Sequence, residues 1–276
     1  MGRDLNRTGF IVTGAASGIG QATARQLHAA GARLALWDMD ATALATVAAE
    51  LDAHHEVVDV TDPDAVAASM AGSVTELGPL DGVVHCAGIM HAGAFDEVEL
   101  SRHLRTVRVN VDGTVNIAHA ALPQLRERGG SLVLMGSISA VFGPPEFAVY
   151  GASKAFVLNF AEALAIEAAE HGVHVASINP FFAATPMLDD NPDAGLVRNV
   201  GAVHTPEEIA AAILRAIRLR RRRSFPGWRP RAIWILSRYG AFAAPALMAM
   251  NWKHPLMARI WRRSVPGRNR PGAPHA

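Results

Sequence analysis

Thr13-Gly14-Ala15-Ala16-Ser17-Gly18-Ile19-Gly20 lies between the apolar run Phe10-Ile11-Val12 and a helical pattern from Gln21 to Ala30. A strand that turns through three glycines straight into a helix can bend tightly and approach a pyrophosphate. The charge of that group would meet the unpaired N–H groups of the helix start. The spacing Gly-x-x-x-Gly-x-Gly is a variant of the dinucleotide fingerprint, although any strand-to-helix turn tolerates glycine. Asp38 ends the next strand, Arg33 to Trp37, eighteen residues after Gly20. A carboxylate there can accept both hydroxyls of an adenosine ribose and repels a 2′-phosphate. Neither Ser17 nor Met39 supplies an offsetting cation, which favours NAD over NADP. The alternative is that Asp38 only caps the helix that begins near Ala41.

Outward from this turn, short β-branched runs alternate with longer helical patterns. Helices are predicted over Ala41 to Leu51, Asp62 to Glu76, Asp96 to Arg128, Val149 to His171 and Gly201 to Arg220. Strands are predicted at Glu56 to Val58, Gly82 to Val84, Ser131 to Met135 and Val173 to Ile178. Strands of this apolar kind, joined by helical crossovers, form a parallel sheet with right-handed connections. The expected fold is therefore α/β: a single Rossmann-like, doubly wound parallel sheet with helices on both faces. Asp59-Val60 and Ala87-Gly88 follow the third and fourth strands, at the carboxyl ends where such sheets bind ligands.

The net charge of +1 hides a division. Fifteen of the 26 Lys and Arg lie from Arg215 onward with no Asp or Glu among them, leaving eleven bases against 25 acids before it. A catalytic domain is expected over residues 1–225 and a basic, amphipathic, tryptophan-rich extension over 226–276. Half the residues are apolar and 18% are charged, which excludes a disordered polyampholyte. The single Cys86 excludes an internal disulfide framework and a four-cysteine zinc site. No metal is expected. Met1 to Arg7 is polar and Phe10-Ile11-Val12 is too short for a signal core, so no secretory signal is expected. Gly2 does not make a myristoylation site, because Asn6 stands where Ser or Thr is wanted. The apolar stretch Ala232 to Met250 is broken by Ser237-Arg238 and Pro245, which argues against a spanning helix.

Tyrosine and lysine are both scarce: Tyr150 and Tyr239, Lys154 and Lys253 are the complete set. Tyr150 and Lys154 nevertheless stand four apart in Tyr150-Gly151-Ala152-Ser153-Lys154, and residues so spaced share a helix face. An ammonium beside a phenol favours phenolate, so the Tyr150 pKa is expected to fall toward working pH.

With these motifs in order, the chain resembles the classical short-chain dehydrogenases/reductases over about residues 8 to 225. Thr13 to Gly20 is similar to that family's glycine turn, and Asp59 to its adenine-contacting acid. The resemblance implies a catalytic set of Ser137, Tyr150, Lys154 and Asn110, with Ser139 a less favoured occupant of the serine role. It implies that Asn110 holds a proton-relay water, and that Pro180 and Thr185 line the nicotinamide. Two departures stand out. The family's Asn-Asn-Ala-Gly is His85-Cys86-Ala87-Gly88 here, which is expected to keep the Cys86 backbone contact to adenosine and lose a side-chain bond. His85 itself reads as structural or, less favoured, as a ligand or base. Phe181 also stands where the family has glycine after Pro180.

The implied activity is NAD-dependent interconversion of a secondary alcohol and a ketone. An NADPH-dependent ketoreductase and a catalytically idle NAD-sensing or scaffold member are the alternatives. Residues implied near substrate are Met90, Ser139, Phe142, Pro144, Pro145, Phe181, Phe182, Met187 and Leu188. Nearly all are apolar, so a lipophilic steroid-, retinoid- or long-chain-like substrate is expected. Asp189 to Arg198 reads as a lid loop.

Four of five tryptophans (Trp228, Trp234, Trp252 and Trp261) lie beyond the run Arg220 to Arg223. Ala232 to Leu236 and Ala243 to Met250 alternate with Arg238, Lys253, Arg259, Arg262 and Arg263. This interleaving suits an anionic membrane surface, a cover for the pocket or a subunit contact. No nucleic-acid motif is present. Family resemblance implies a homodimer or homotetramer, and the expected location is cytoplasmic with peripheral membrane association.

Overall fold

The computed structural model describes residues 3–191 and 204–239. Most of the expected lid lies outside the described residues. So do Ala243 to Met250, Trp252, Lys253, Arg259, Trp261, Arg262, Arg263 and the end of the chain.

Seven parallel strands form one sheet in the order β3-β2-β1-β4-β5-β6-β7. They are β1 Gly9–Thr13, β2 Arg33–Asp38, β3 His54–Val57, β4 Gly82–His85, β5 Ser131–Met135, β6 His174–Ile178 and β7 Arg223–Ser224. The helices are α1 Gly18–Ala29, α2 Ala41–Leu51, α3 Pro63–Leu77, α4 Leu100–Val107, α5 Gly113–Arg126, α6 Ala148–Glu167, α7 Pro186–Asp189, α8 Pro206–Leu219 and α9 Trp228–Tyr239. Every residue of β1, β4, β5 and β6 is buried, because helices cover both faces. Along β1, Phe10 and Val12 face one core with Leu27 and Ile213, while Ile11 faces a second with Ile117 and Val157.

Strand order reverses at β1, which pairs with β2 on one side and β4 on the other. The crevice of a doubly wound sheet opens at the carboxyl ends of such a pair. Several sequence boundaries shift, and the helical stretch expected over Asp96 to Arg128 divides into α4 and α5. Helix α1 starts at Gly18, because the end of the glycine turn is already its first turn. Helix α8 starts at Pro206, where Thr205 and Glu208 form a capping box. A seventh strand, missed as too short for any periodicity, comes from the arginine run: Ser177 N–H donates to Arg222 and Asn179 N–H to Ser224. Between α4 and α5, residues Arg108–Asp112 form a π-turn that carries Asn110. By length and composition Ala148–His171 could cross a membrane, but α6 packs its Val157, Ala161 and Leu164 against the sheet.

Candidate active site

The glycine turn places its backbone against the exit of β4. Gly14 has φ +67°, and a Cβ there would lie 2.7 Å from the Ala87 nitrogen. A Cβ on Gly20 would sit 2.0 Å from the Gly14 carbonyl oxygen. Neither position accepts another residue without moving the turn. Ser17, the N-cap of α1, makes no side-chain cap bond. The first-turn N–H groups, which have no partner within a helix, therefore remain for a ligand.

Asp38 lines the cleft above this turn, where its Oδ2 accepts the Ala16 N–H at 3.0 Å. The capping alternative belongs to a neighbour: Asp40 accepts the Ala43 N–H at the start of α2. Asp59, Val60, Ser17, Gly18, Ile19, Ala87 and Gly88 line the same cleft of about 360 Å³. Among its described lining residues Arg105 is the one cation, and sequence reasoning missed it for want of a motif on α4. Thr13 is wholly buried behind the cradle. Its hydroxyl takes the Ala87 N–H at 3.2 Å and pairs with His85 Nδ1 at 2.7 Å.

His85 is thus a bracing residue. Burial pushes its imidazole down to about 3. Cys86 carries a thiol where the resembled family has asparagine, and its N–H donates to the Thr13 carbonyl at 3.2 Å. Burial pushes that thiol up to about 12, so it is not a nucleophile.

Five residues of the cleft, Ile19, Cys86, Gly88, Thr185 and Met187, also line a second space of about 80 Å³. Ser137, Tyr150 and Lys154 converge there, with Met90, Pro180, Phe181, Phe182 and Leu188 as the apolar wall. Thr185 stands at the junction, its Cγ2 3.0 Å from where a Gly18 Cβ would be. Ser137 caps the short turn Ile138–Ala140, and its Oγ accepts both the Ser139 N–H at 3.2 Å and the Ser139 hydroxyl at 2.9 Å. Ser139 therefore stands behind Ser137 and is not among the residues lining the space. Phe142 packs on Ile138 and Phe181, and neither it nor Pro144 and Pro145 lines the space.

Lys154 is buried, and its Nζ donates to the Met135 carbonyl at 2.9 Å and lies 5.7 Å from the Tyr150 ring centroid. Asn110 is held by Ile89: its Oδ1 accepts the Ile89 N–H and its Nδ2 donates to the Ile89 carbonyl, both at 2.9 Å. The same Nδ2 donates to Ser153 Oγ at 3.0 Å, and Ser153 donates to the Tyr150 carbonyl at 2.7 Å. Ser153 was visible in the Tyr-Gly-Ala-Ser-Lys run, but nothing in the spacing revealed its linking role. An added Cβ at Gly88 would meet Asn110 Oδ1 at 3.1 Å and Lys154 Nζ at 3.3 Å, so these two groups of the implied set share one corner.

The expected depression of the Tyr150 pKa is reversed here. Burial pushes the phenol up to about 12, and the hydrogen bond with Ser137 only partly offsets this. Burial also pushes the Lys154 ammonium down to about 8.

Residues 9–194 match the family model described as short chain dehydrogenase. The chain belongs to the short-chain dehydrogenases. It is 36% identical over 187 residues to a 2-dehydro-3-deoxy-L-rhamnonate dehydrogenase (NAD(+)) of Sphingomonas, covering 67% of this chain and 75% of that one. It is also 36% identical over 242 residues to an inactive 2-(S)-hydroxypropyl-CoM dehydrogenase 2 of Xanthobacter autotrophicus, covering 83% and 97%. Among solved structures, an NADH complex of 3-ketoacyl-(acyl-carrier-protein) reductase from Brucella melitensis superposes with TM-score 0.73 at 27% identity, over 77% and 91%. The short-chain dehydrogenases are oxidoreductases with this Rossmann-like sheet, and they use NAD or NADP.

Proposed function

We propose that this short-chain dehydrogenase uses NAD to interconvert a lipophilic secondary alcohol and its ketone. One observation carries the proposal: Ser137, Tyr150 and Lys154 line a space continuous with the glycine-turn cleft. The cradle fits NAD, with the α1 N–H groups for the pyrophosphate, Asp38 for the ribose and Thr185 at the nicotinamide end. When bound, the nicotinamide supplies or accepts the hydride. Tyr150, a neutral phenol in this environment, donates its proton to a ketone oxygen, or as phenolate receives one from an alcohol. Ser137, its hydroxyl oriented by Ser139, hydrogen-bonds the same oxygen. Lys154 and Asn110 stand behind Tyr150 to pass the proton on.

The space beside Tyr150 is about 80 Å³ and is walled largely by apolar side chains. A compact apolar ring or a chain end is favoured over a whole steroid. The test is reduced-nicotinamide absorbance across secondary alcohols graded from butanol-sized to steroid, with NAD and NADP in parallel. Turnover of the compact members with NAD is expected. NAD binding without turnover of any member would favour the idle sensing or scaffold reading, to which the inactive relative lends weight. Preference for NADPH with ketones would favour the ketoreductase reading, which Asp38 opposes.

Assembly as a homodimer or homotetramer belongs to the same proposal, and α4 leaves Leu100, Leu104 and Val107 exposed at helical spacing. A catalytic unit ending near residue 225 and a cytoplasmic location with the last residues on an anionic bilayer complete it. Flotation of the full chain and of a chain ending near Phe225 with anionic vesicles tests that element. Equal partitioning would remove it.

A further inference from the structure

The first part of the cationic extension is joined to the reaction site by a series of aromatic rings. Trp234 on α9 stacks on Phe225, with centroids 5.3 Å apart and planes 26° apart. Phe225 packs against the buried pair Ile138 and Phe181. Phe181 meets Phe182 edge-on at 5.3 Å, Phe182 meets Phe147 at 5.7 Å, and Phe147 meets Tyr150 edge-on at 6.3 Å. The outer end is tied to the helix that carries Tyr150. Arg223 lies over the Trp234 ring, 5.2 Å from its centroid, and pairs with Glu162 of α6. Helix α9 therefore reaches α6 by two routes, one through rings and one through the guanidinium.

Ring pairs of this kind, and a cation over an indole, attract beyond what area burial alone supplies. Where side chains are close-packed, the movement of one is passed to its neighbours. The series touches only one of the two spaces. Phe181 and Phe182 line the pocket beside Tyr150, and no ring of the series lines the cofactor cleft. A movement of α9 should therefore be felt by substrate and by the phenol before it is felt by the cofactor.

We propose that α9 is a positioning element of the reaction site, with Trp234 setting the apolar wall and the Tyr150 ring through Phe225, Phe181, Phe182 and Phe147. The extension would then tune substrate fit and leave NAD affinity alone. This rests on the oxidoreductase role assigned to Tyr150, so one arm of the test requires no turnover. The chain has two tyrosines, so a Tyr239→Phe background labelled with 3-fluorotyrosine reports on Tyr150 alone.

In the full-length protein, Trp234→Ala is expected to shift the Tyr150 fluorine resonance and to raise KM for the best alcohol about tenfold. NADH affinity should stay within about twofold, and Trp234→Phe, which keeps a stacking ring, should restore both resonance and KM. Ile235→Ser, on the exposed side of the same helix, should change neither. If Trp234→Ala does not fold, Trp234→Leu keeps apolar bulk without the ring and carries the same expectations. Unchanged resonance and KM would overturn the proposal. So would a loss of NADH affinity in step with KM, the mark of general loosening. A resonance shift in a protein that turns over no alcohol would uphold the ring series while the catalytic reading failed.

Discussion

The β1-β2-β4 end of the cleft and the β5-β6-β7 end are built from different materials. The first is mostly backbone: a glycine turn, the opening N–H groups of α1, the exit of β4, and one carboxylate braced by Ala16. The second is mostly rings, with phenylalanines from two separate segments meeting around Tyr150. Backbone recognition requires particular residues, because a single Cβ at Gly14 or Gly20 would strike neighbouring main chain. Ring packing requires only apolar bulk of about the right volume. One end should thus fail abruptly on mutation and the other gradually.

The strongest separation of the two ends is expected from Tyr150→Phe. Turnover should fall by about a thousandfold or more, while NADH binding, measured by fluorescence titration, stays within about threefold. Loss of NADH binding alongside activity would mean that the two ends are not separable. Gly14→Ala should do the reverse by forcing φ +67° on a side chain aimed at Ala87. The expected loss in NADH affinity is about a hundredfold. A variant that binds normally would break the comparison at its stronger side.

Acid should act on the sheet between the two ends. Burial pushes His85 down to about 3 and His174 down to about 4. Below pH 6.5 the unfolded chain takes up protons that the native chain refuses, so stability is complete above that value and is lost as pH falls. At pH 5 the loss is about 2 kcal/mol for each histidine. Urea denaturation at pH 7 and pH 5 measures it, and His85→Asn should remove about half of the difference. A fourth, smaller effect concerns coenzyme choice. Asp38→Ala should reduce the preference for NAD over NADP by about tenfold in parallel titrations, and unchanged discrimination would take the carboxylate out of the role.

The same contrast explains what the sequence revealed. Six of the strands and the position of the glycine turn were readable because buried parallel strands and obligatory glycines leave few alternatives. Tyr150 and Lys154 stood out because both residue types are rare in this chain. β7 was hidden, since two residues carry no period and their burial depends on where β6 happens to end. The Tyr150 phenol was misjudged in direction because a spacing of four reports that an ammonium is near but not how dry the surroundings are. The sequence places Phe181 by the nicotinamide loop and the substrate, yet it also joins Ile138 to Phe225 across more than forty residues of sequence, a contact no local pattern encodes.

One hydrogen bond narrows the routes by which coenzyme preference could change during evolution or redesign. The Asp38 carboxylate proposed to discriminate at the ribose also receives the Ala16 N–H of the glycine turn. Replacing it with a small or basic residue removes a repulsion and, in the same step, leaves the turn without its acceptor. A chain drifting toward the phosphorylated coenzyme would first lose grip on both. Asp38→Asn keeps an oxygen for Ala16 while discarding the charge, so it is the intermediate through which such a switch could pass without a non-binding ancestor.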